Sequence, residues 1–335
     1  MTELEKQYHF VSESVGVVDL GSRGRVCVTG ADRVRFLNGQ VTNNVKDLVV
    51  GQGCYAALVN AKGKLHSDLN IYCLADELLL DFEPGLTGTV ISRLEKYIIA
   101  DDVQVIDVGS NYGMLTVQGP RSADVVSSAA LRPPDAPMQW SSVKSDSGEV
   151  YCMDNSRGAV RGFDLFMPMR QRDGLLKQLA DSAKTFGGGL TSLEALEVMR
   201  IEAGIPRFGI DMDESNLAPE AIEARAINYA KGCYIGQEVI SRIRAFGQVA
   251  KSLRGLRLPQ NLSALPTRGD KLFRDGKEVG YITSAVRSPK YDAHIALGYV
   301  RREHNVAGTQ LEAVSPAGRL AAQVCDLPFT REAFK

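Results

Sequence analysis

The sequence predicts an α+β fold followed by a small all-β domain, and three observations indicate it. Residues 17–110 mix short strand-like runs with helix patterns, as layers of helices on antiparallel sheets do. A second block of the same style starts at Tyr112. From about residue 247 the helical periodicity is lost, and short apolar runs alternate with Gly and Pro turns, which predicts a barrel or sandwich of roughly 80 residues.

The first block contains short strand-like runs, and two of them, 25–29 and 103–108, alternate apolar and polar residues as half-buried strands do. The predicted strands are 25–29, 56–59, 69–74, 78–82 and 103–108. Apolar side chains at helical spacing predict an amphipathic helix from Thr87 to Ile98, and a shorter helix is predicted from Arg33 to Asn38.

The second block combines three strand-like runs, 112–117, 148–153 and 162–167, with the clearest helix pattern of the chain. This helix spans Leu193 to Ala203. Thr191 and Glu194 are spaced as a capping box, and Gly204 stands where a left-handed residue ends a helix.

The composition excludes several classes of protein. The 335 residues suggest about two domains. Since 39 Lys and Arg face 40 Asp and Glu, a strongly basic nucleic-acid binder is excluded, and no nucleic-acid partner is expected. No apolar run of ~18 residues predicts a membrane span. The polar residues 1–10 hold no signal-peptide core, so we expect a cytoplasmic protein.

The cysteines and histidines do not predict a metal site. No two of the 6 cysteines lie closer than 19 residues, which excludes a C-x-x-C pair, and we expect reduced thiols. The 4 histidines form no metal-binding motif.

The octapeptide Lys231 to Glu238 reads K-G-C-Y-I-G-Q-E and is predicted to be a loop entering a helix near Gly236. A thiol beside a helix N-terminus and a lysine has a lowered pKa, which favours a reactive Cys233. The alternative is a small residue packed in a tight turn.

Two carboxylates are candidates for binding or catalysis. Asp68 borders an apolar strand, where a charge is either solvent-exposed or held for function. Glu202 lies in a last helical turn, where it opposes the helix dipole. The Glu202 carboxylate is therefore either exposed to solvent or bound to hydrogen-bond donors, such as those of a pterin-like ligand.

Residues 239–268 contain basic side chains, Arg242 and Arg244 among them, and no Asp or Glu. Such a run is usually a solvated face. A hypothesis from charge alone assigns Arg242 to Arg257 to the anionic tail of a ligand.

The octapeptide resembles the signature of the YgfZ-type folate-binding proteins, which belong to the superfamily of the glycine cleavage T-protein, an aminomethyltransferase. Weaker similarities follow in the family's order. They lie at 35–43, 60–68, 200–204, 211–214, 284–289, 295–300 and 328–329.

The resemblance implies ferredoxin-like folate-binding halves around a central cavity and a C-terminal β-barrel. We expect an α+β region over 1–246, with halves of about 10–110 and 111–246, and a barrel domain over 247–335. The implied ligand is tetrahydrofolate or a one-carbon derivative. The implied role is assembly or repair of iron–sulfur clusters, including those of tRNA-modifying enzymes, with cluster-carrier or client proteins as partners.

By the same resemblance, Cys233 matches the cysteine on which the family's function depends, and Asp68 joins it as a catalytic candidate. Glu202 matches a pterin-binding carboxylate. The expected ligand-binding residues are Asp68, Glu202, Lys231, Tyr234, Gln237, Glu238 and Arg242.

Aminomethyltransferases carry two adjacent aspartates where this chain has Ser67 and Asp68, so one carboxylate is missing. If the catalytic aspartate of that pair is the one replaced by Ser67, aminomethyl transfer is disfavoured, and the signature cysteine, which aminomethyltransferases lack, points the same way. The resemblance therefore favours iron–sulfur maintenance and leaves two alternatives. One is a folate-dependent aminomethyl or one-carbon transferase, the reaction expected if the protein is an enzyme. The other is a folate-free scaffold for cluster-carrier proteins.

Overall fold

The computed structural model describes residues 1–315 and 318–334, which fold into helices and three antiparallel or mixed sheets. The α-helices are α1 (Glu3–Glu13), α2 (Arg33–Gln40), α3 (Thr87–Glu95), α4 (Ser122–Ser128), α5 (Arg172–Thr185), α6 (Leu193–Glu202), α7 (Glu223–Ala226) and α8 (Gln237–Phe246). The strands are β1 (Gly16–Asp19), β2 (Gly24–Thr29), β3 (Gly53–Val59), β4 (Leu65–Cys73), β5 (Leu78–Phe82), β6 (Gln104–Asp107), β7 (Tyr112–Gln118), β8 (Trp140–Ser145), β9 (Gly148–Asp154), β10 (Gly162–Pro168), β11 (Gly189–Leu190), β12 (Lys251–Arg257), β13 (Lys271–Arg274), β14 (Lys277–Ser288), β15 (Ala293–Arg301), β16 (Gln310–Ser315) and β17 (Gly318–Cys325).

The strands form two open sheets and one barrel, which confirms the predicted α+β fold and the C-terminal barrel. The first sheet has the order β3-β4-β5-β2-β6, and the second has the order β11-β1-β7-β10-β9-β8. Strands β12 to β17 close the barrel in the order β12-β15-β14-β13-β16-β17. Although β1 comes first along the chain, it pairs with β7 and β11 in the second sheet.

The two open sheets pack face to face, with helices on their outer faces. In β2, Val26 and Val28 join the core beneath α2 and α3, whereas Cys27 joins the core between the sheets. In β7, Leu115 packs towards α4 and α5, and Met114 packs between the sheets. This alternation follows from the two-residue period of a strand and produces four layers.

Trp140 lies at the seam between the two sheets. Its indole N–H donates to the carbonyl oxygen of Cys73 at 2.9 Å, and its backbone N–H donates to that of Gly51 at 2.8 Å. Its ring meets Tyr151 edge-on, with 5.4 Å between the ring centroids. An edge strand of the second sheet is thereby attached to the first sheet.

Helix α6 connects the sheets to the barrel. Ser192 occupies its N-cap position and makes no side-chain cap bond, so the capping box predicted at Thr191 is wrong. Its end agrees with the prediction, because Gly204 follows it with a φ of 67°. Across the described residues 1–315 and 318–334, no helix has the length and apolar character needed to cross a membrane.

Candidate functional site

A cavity of about 900 Å³, its open mouth included, lies between the two open sheets. Strands β3 and β4, the turn between β1 and β2, the loop between β9 and β10, and helix α6 contribute to its wall. The lining residues are Leu20, Ser22, Arg23, Tyr55, Asp68, Asn70, Glu83, Pro84, Asn155, Ser156, Arg157, Leu193, Leu196, Glu197, Arg200, Ile205, Pro206, Arg207 and Arg225.

Strand periodicity explains why polar side chains reach this cavity. In β4, Leu69 and Ile71 belong to the core beneath the outer helices, whereas Asp68 and Asn70 point to the other face and line the cavity. The next inward residue, Tyr72, packs in the apolar part of the same layer. One strand face therefore changes from core to cavity wall along its length.

Asp68 has a carboxylate oxygen without a partner. Its Oδ2 accepts a hydrogen bond from the Tyr55 hydroxyl at 2.8 Å, whereas Oδ1 is shielded from solvent and meets no donor among the described residues. Burial, with a smaller contribution from the charge of Glu83, raises the pKa of Asp68 to about 6. This carboxyl group is suited to accept a ligand N–H and to exchange a proton near neutral pH.

Behind Asp68, a buried charge network joins the two sheets. Asp81 of β5 accepts from Arg23 Nε at 2.6 Å and from Arg157 Nη2 at 3.1 Å. Arg157 also donates to Asp164 of β10, at 2.6 and 2.9 Å. Burial acts to raise the pKa of Asp81, but the two guanidinium groups outweigh it and hold this pKa below its usual value.

Glu197 of α6 forms the opposite wall of the cavity. It accepts from Arg200 Nε at 2.7 Å and from Arg207 Nη1 at 3.0 Å. Arg200 also donates to the buried Asp211 at 2.6 Å. These pairs hold a second carboxylate in the cavity, and they outweigh the burial that by itself would raise its pKa, so the pKa of Glu197 is lowered.

Glu202, predicted from the sequence as a pterin-binding residue, does not line the cavity. It is 2% exposed, and it accepts hydrogen bonds from the hydroxyl of Tyr8 in α1, at 2.9 Å, and from Ser288 in β14. Burial raises its pKa. Five residues turn a helix by roughly 500°, so Glu197 and Glu202 face different directions. Glu202 therefore joins α1, α6 and the barrel.

Lys231, also predicted to bind the ligand, is held by the protein itself. Its Nζ donates to the carbonyl oxygens of Asn38, Val41 and Asn43, at 2.7, 2.7 and 2.6 Å. Burial lowers the pKa of Lys231 to about 8, so the ammonium stays charged at neutral pH. The same ammonium lies 5.0 Å from the ring centroid of the buried Tyr234. Neither side chain lines the cavity.

The remaining predicted residues of the octapeptide region lie outside the cavity. Cys233 is exposed, and it precedes the first residue of α8, Gln237, by four positions. Glu238 and Arg242 form an exposed ion pair of 2.7 Å on α8. Among the predicted site residues, the structure therefore brings only Asp68 to the cavity.

Two family models match the chain. The GCVT N-terminal domain matches residues 2–231, and the glycine cleavage T-protein C-terminal barrel domain matches residues 251–330. The chain belongs to the glycine cleavage T-protein family. The N-terminal match spans both open sheets, and the C-terminal match spans the barrel strands.

Proteins named as transferases align with most of the chain. A chloroplastic protein of Arabidopsis thaliana, named as a transferase, is 30% identical over 296 residues, which are 86% of this chain and 66% of that protein. The aminomethyltransferase of Halalkalibacterium halodurans is 26% identical over 333 residues, 98% of this chain and 90% of that protein. The crystal structure of the glycine cleavage system aminomethyltransferase T from Bartonella henselae has a TM-score of 0.86 at 23% identity, covering 98% of this chain and 90% of that one. The last likeness shows that the T-protein fold spans nearly the whole chain.

Sequence reasoning missed most of the T-protein cavity. The missed polar residues are Ser22, Arg23, Tyr55, Asn70, Glu83, Asn155, Ser156, Arg157, Glu197, Arg200, Arg207 and Arg225. One usable signal is present in the strands, where Asp68, Asn70 and Asp81 each interrupt an apolar run at positions that share the inward face. The arginines lie in loops or helices and carry no comparable pattern.

Proposed function

We propose that the protein binds a reduced folate, tetrahydrofolate or a one-carbon derivative, in the cavity between the sheets. The main support is the Oδ1 atom of Asp68, which is shielded from solvent and has no hydrogen-bond donor in the described part of the chain. A buried acceptor of this kind indicates a missing partner, and a pterin ring system offers N–H donors. The family to which the chain belongs supports the same ligand.

The residues present fit this ligand. Asp68 and Glu197 supply two carboxylates to donor groups from opposite walls, and Tyr55 holds Asp68 in place. Leu196 and Pro206 offer apolar surface to a flat ring. A bound folate supplies a carrier for a one-carbon group. The protein's part is to orient it and, through Asp68, to hold or move a proton.

We expect Asp68→Asn to weaken tetrahydrofolate binding at least about tenfold, because a charge-assisted hydrogen bond contributes ~1.5–3 kcal/mol. The variant should remain folded. Since the pKa of Asp68 is raised in the folded protein, its charged form costs stability above pH 6, and asparagine removes that cost. Calorimetric titration with tetrahydrofolate and 5-formyltetrahydrofolate, beside thermal unfolding of each variant, measures both effects.

Glu202→Gln is the matched control, since this carboxylate lies outside the cavity and should leave the folate affinity unchanged. Binding lost in Glu202→Gln but kept in Asp68→Asn would place the folate elsewhere. A wild-type protein that binds neither folate would refute the proposal and favour the folate-free scaffold.

We further propose that the folate-bound protein acts in iron–sulfur cluster assembly or repair, and that the thiol of Cys233 takes part in this function. Four of the six cysteines are buried and Cys54 is half-buried, whereas Cys233 is exposed. Among the residues described, no three His, Cys, Asp or Glu side chains are grouped as metal ligands. Because clusters are held by several thiolates, a cluster-carrier or client protein has to supply the other ligands.

Cys233→Ser should leave the folate affinity unchanged and abolish the support of iron–sulfur enzymes in cells. The test is to complement cells lacking this protein, with the activity of a [4Fe–4S] dehydratase as the readout. Cys54→Ser is the control, because its half-buried thiol lies in a strand of the first sheet. Equal rescue by Cys233→Ser and the wild type would rule out a role for this thiol.

A second candidate function is folate-dependent aminomethyl or one-carbon transfer. The aminomethyltransferase relatives, which align over nearly the whole chain, favour it, and so does a carboxyl group with a pKa of about 6 in the cavity. Turnover of a methylamine-type donor that is lost in Asp68→Asn and kept in Cys233→Ser would select this function over the iron–sulfur role.

A further inference from the structure

The cavity contains one arginine whose charge is not balanced. Arg23, Arg157, Arg200 and Arg207 each form ion pairs with at least two carboxylates. Arg225 lines the same cavity from α7, and it has no ion pair or hydrogen bond from its side chain within residues 1–315 and 318–334. An arginine left unpaired beside a cavity is available to a ligand.

Arg225 and Asp68 lie on either side of one tyrosine. The guanidinium of Arg225 lies over the ring of Tyr55, 4.9 Å from its centroid, and the hydroxyl of the same ring donates to Asp68. Arg225 is exposed, whereas the free oxygen of Asp68 is shielded. The cavity thus has an unpaired acceptor, Asp68 Oδ1, in its interior and an unpaired cation, Arg225, towards its mouth. The two are separated by about the length of the Tyr55 side chain.

This polarity matches a ligand with N–H donors at one end and carboxylates at the other. A folate has this form, since its pterin carries the donors and its glutamate tail carries the carboxylates. A free pterin has only the first end and leaves Arg225 unused. The basic residues that the sequence suggested for the tail, Arg242 and Arg244, are exposed on α8 and do not line the cavity.

We propose that Arg225 binds the glutamate carboxylates of the folate, so that the cavity selects pterins with an anionic tail over pterins without one. The proposal rests on the folate-binding function proposed above and names the residue that sets this selectivity. A guanidinium is suited to the task, because it stacks on an aromatic ring while its N–H groups bind a carboxylate.

The test compares tetrahydrofolate with 6-methyltetrahydropterin, which has no tail, by calorimetric titration. We expect the wild type to bind tetrahydrofolate about tenfold more tightly, and this preference to shrink between about 0.05 and about 0.5 M salt as screening increases. Arg225→Met keeps an apolar stem on Tyr55 and should lose the salt-dependent part of this preference. Arg225→Lys should recover part of the preference, because it restores the charge without the planar fork.

Arg244→Met is the matched control, since Arg244 also lies over a tyrosine ring, that of Tyr229 at 4.0 Å, outside the cavity. It should keep the wild-type preference. A preference unchanged in Arg225→Met, or equal binding of the two ligands by the wild type, overturns the role of Arg225 while folate binding stands. Failure of the wild type to bind either ligand overturns the proposed function itself.

Discussion

Replacing Asp81 by alanine should lower the free energy of unfolding by about 3–5 kcal/mol, the range for removing one partner of a buried ion pair. The side chain of Asp81 is fully buried, and those of Arg23 and Arg157 are 10% and 14% exposed. Both arginines would lose a carboxylate partner while remaining largely buried. Since a domain is stable by only about 5–15 kcal/mol, this single change removes a large share.

Urea unfolding followed by circular dichroism measures the effect. Asp326→Ala is the control, because Asp326 pairs with Arg254 at 2.7 Å but is 70% exposed, and such surface pairs contribute roughly 0–1 kcal/mol. Asp81→Asn keeps the size and removes only the charge, so a similar loss there would assign the effect to the ion pairs. Equal stability of Asp81→Ala and Asp326→Ala would contradict a network that joins the sheets.

Lys231→Met should cost about 2–4 kcal/mol, the second largest effect we expect. The ammonium satisfies three carbonyl oxygens of the segment 38–43, and bonds to a charged donor contribute ~1.5–3 kcal/mol each before the cost of burying the charge is subtracted. Methionine fills a similar volume and offers no donor. The loss would be read from the midpoint of thermal or urea unfolding.

Lys144→Met provides the comparison, since Lys144 is 80% exposed and its ion pair with Glu149 measures 3.7 Å. We expect a change within ~0.5 kcal/mol there. If Lys231→Met were as stable as Lys144→Met but unable to bind folate, Lys231 would belong to the ligand site after all. A large loss of stability in Lys231→Met alone agrees with its structural role.

Local patterns in the sequence were sufficient for much of the fold. The apolar runs at 69–74 and 78–82 predicted β4 and β5 as strands, and Asp68 was conspicuous beside the first of these runs. The change to short runs with Gly and Pro turns predicted the barrel. These features depend on backbone periods of two residues or about four, which a single segment displays by itself.

The cavity wall depends on tertiary contacts, and local patterns do not show those. Arg23 and Arg157 meet Asp81 only because two sheets pack face to face. The choice between Glu197 and Glu202 required the rotation of α6, which places one carboxylate on the cavity and the other against Tyr8. The sequence showed the octapeptide as a motif. It did not show that Lys231 donates to backbone carbonyl oxygens of the distant segment 38–43.

Trp140 is the one tryptophan of the chain, and its position makes it an optical reporter of the seam between the sheets. Its indole N–H is bonded to the Cys73 carbonyl of the opposite sheet. If the sheets separate, water reaches the ring and its fluorescence moves to longer wavelength. Melting confined to the barrel leaves the emission unchanged. One unlabelled sample therefore distinguishes separation of the two open sheets from loss of the C-terminal domain.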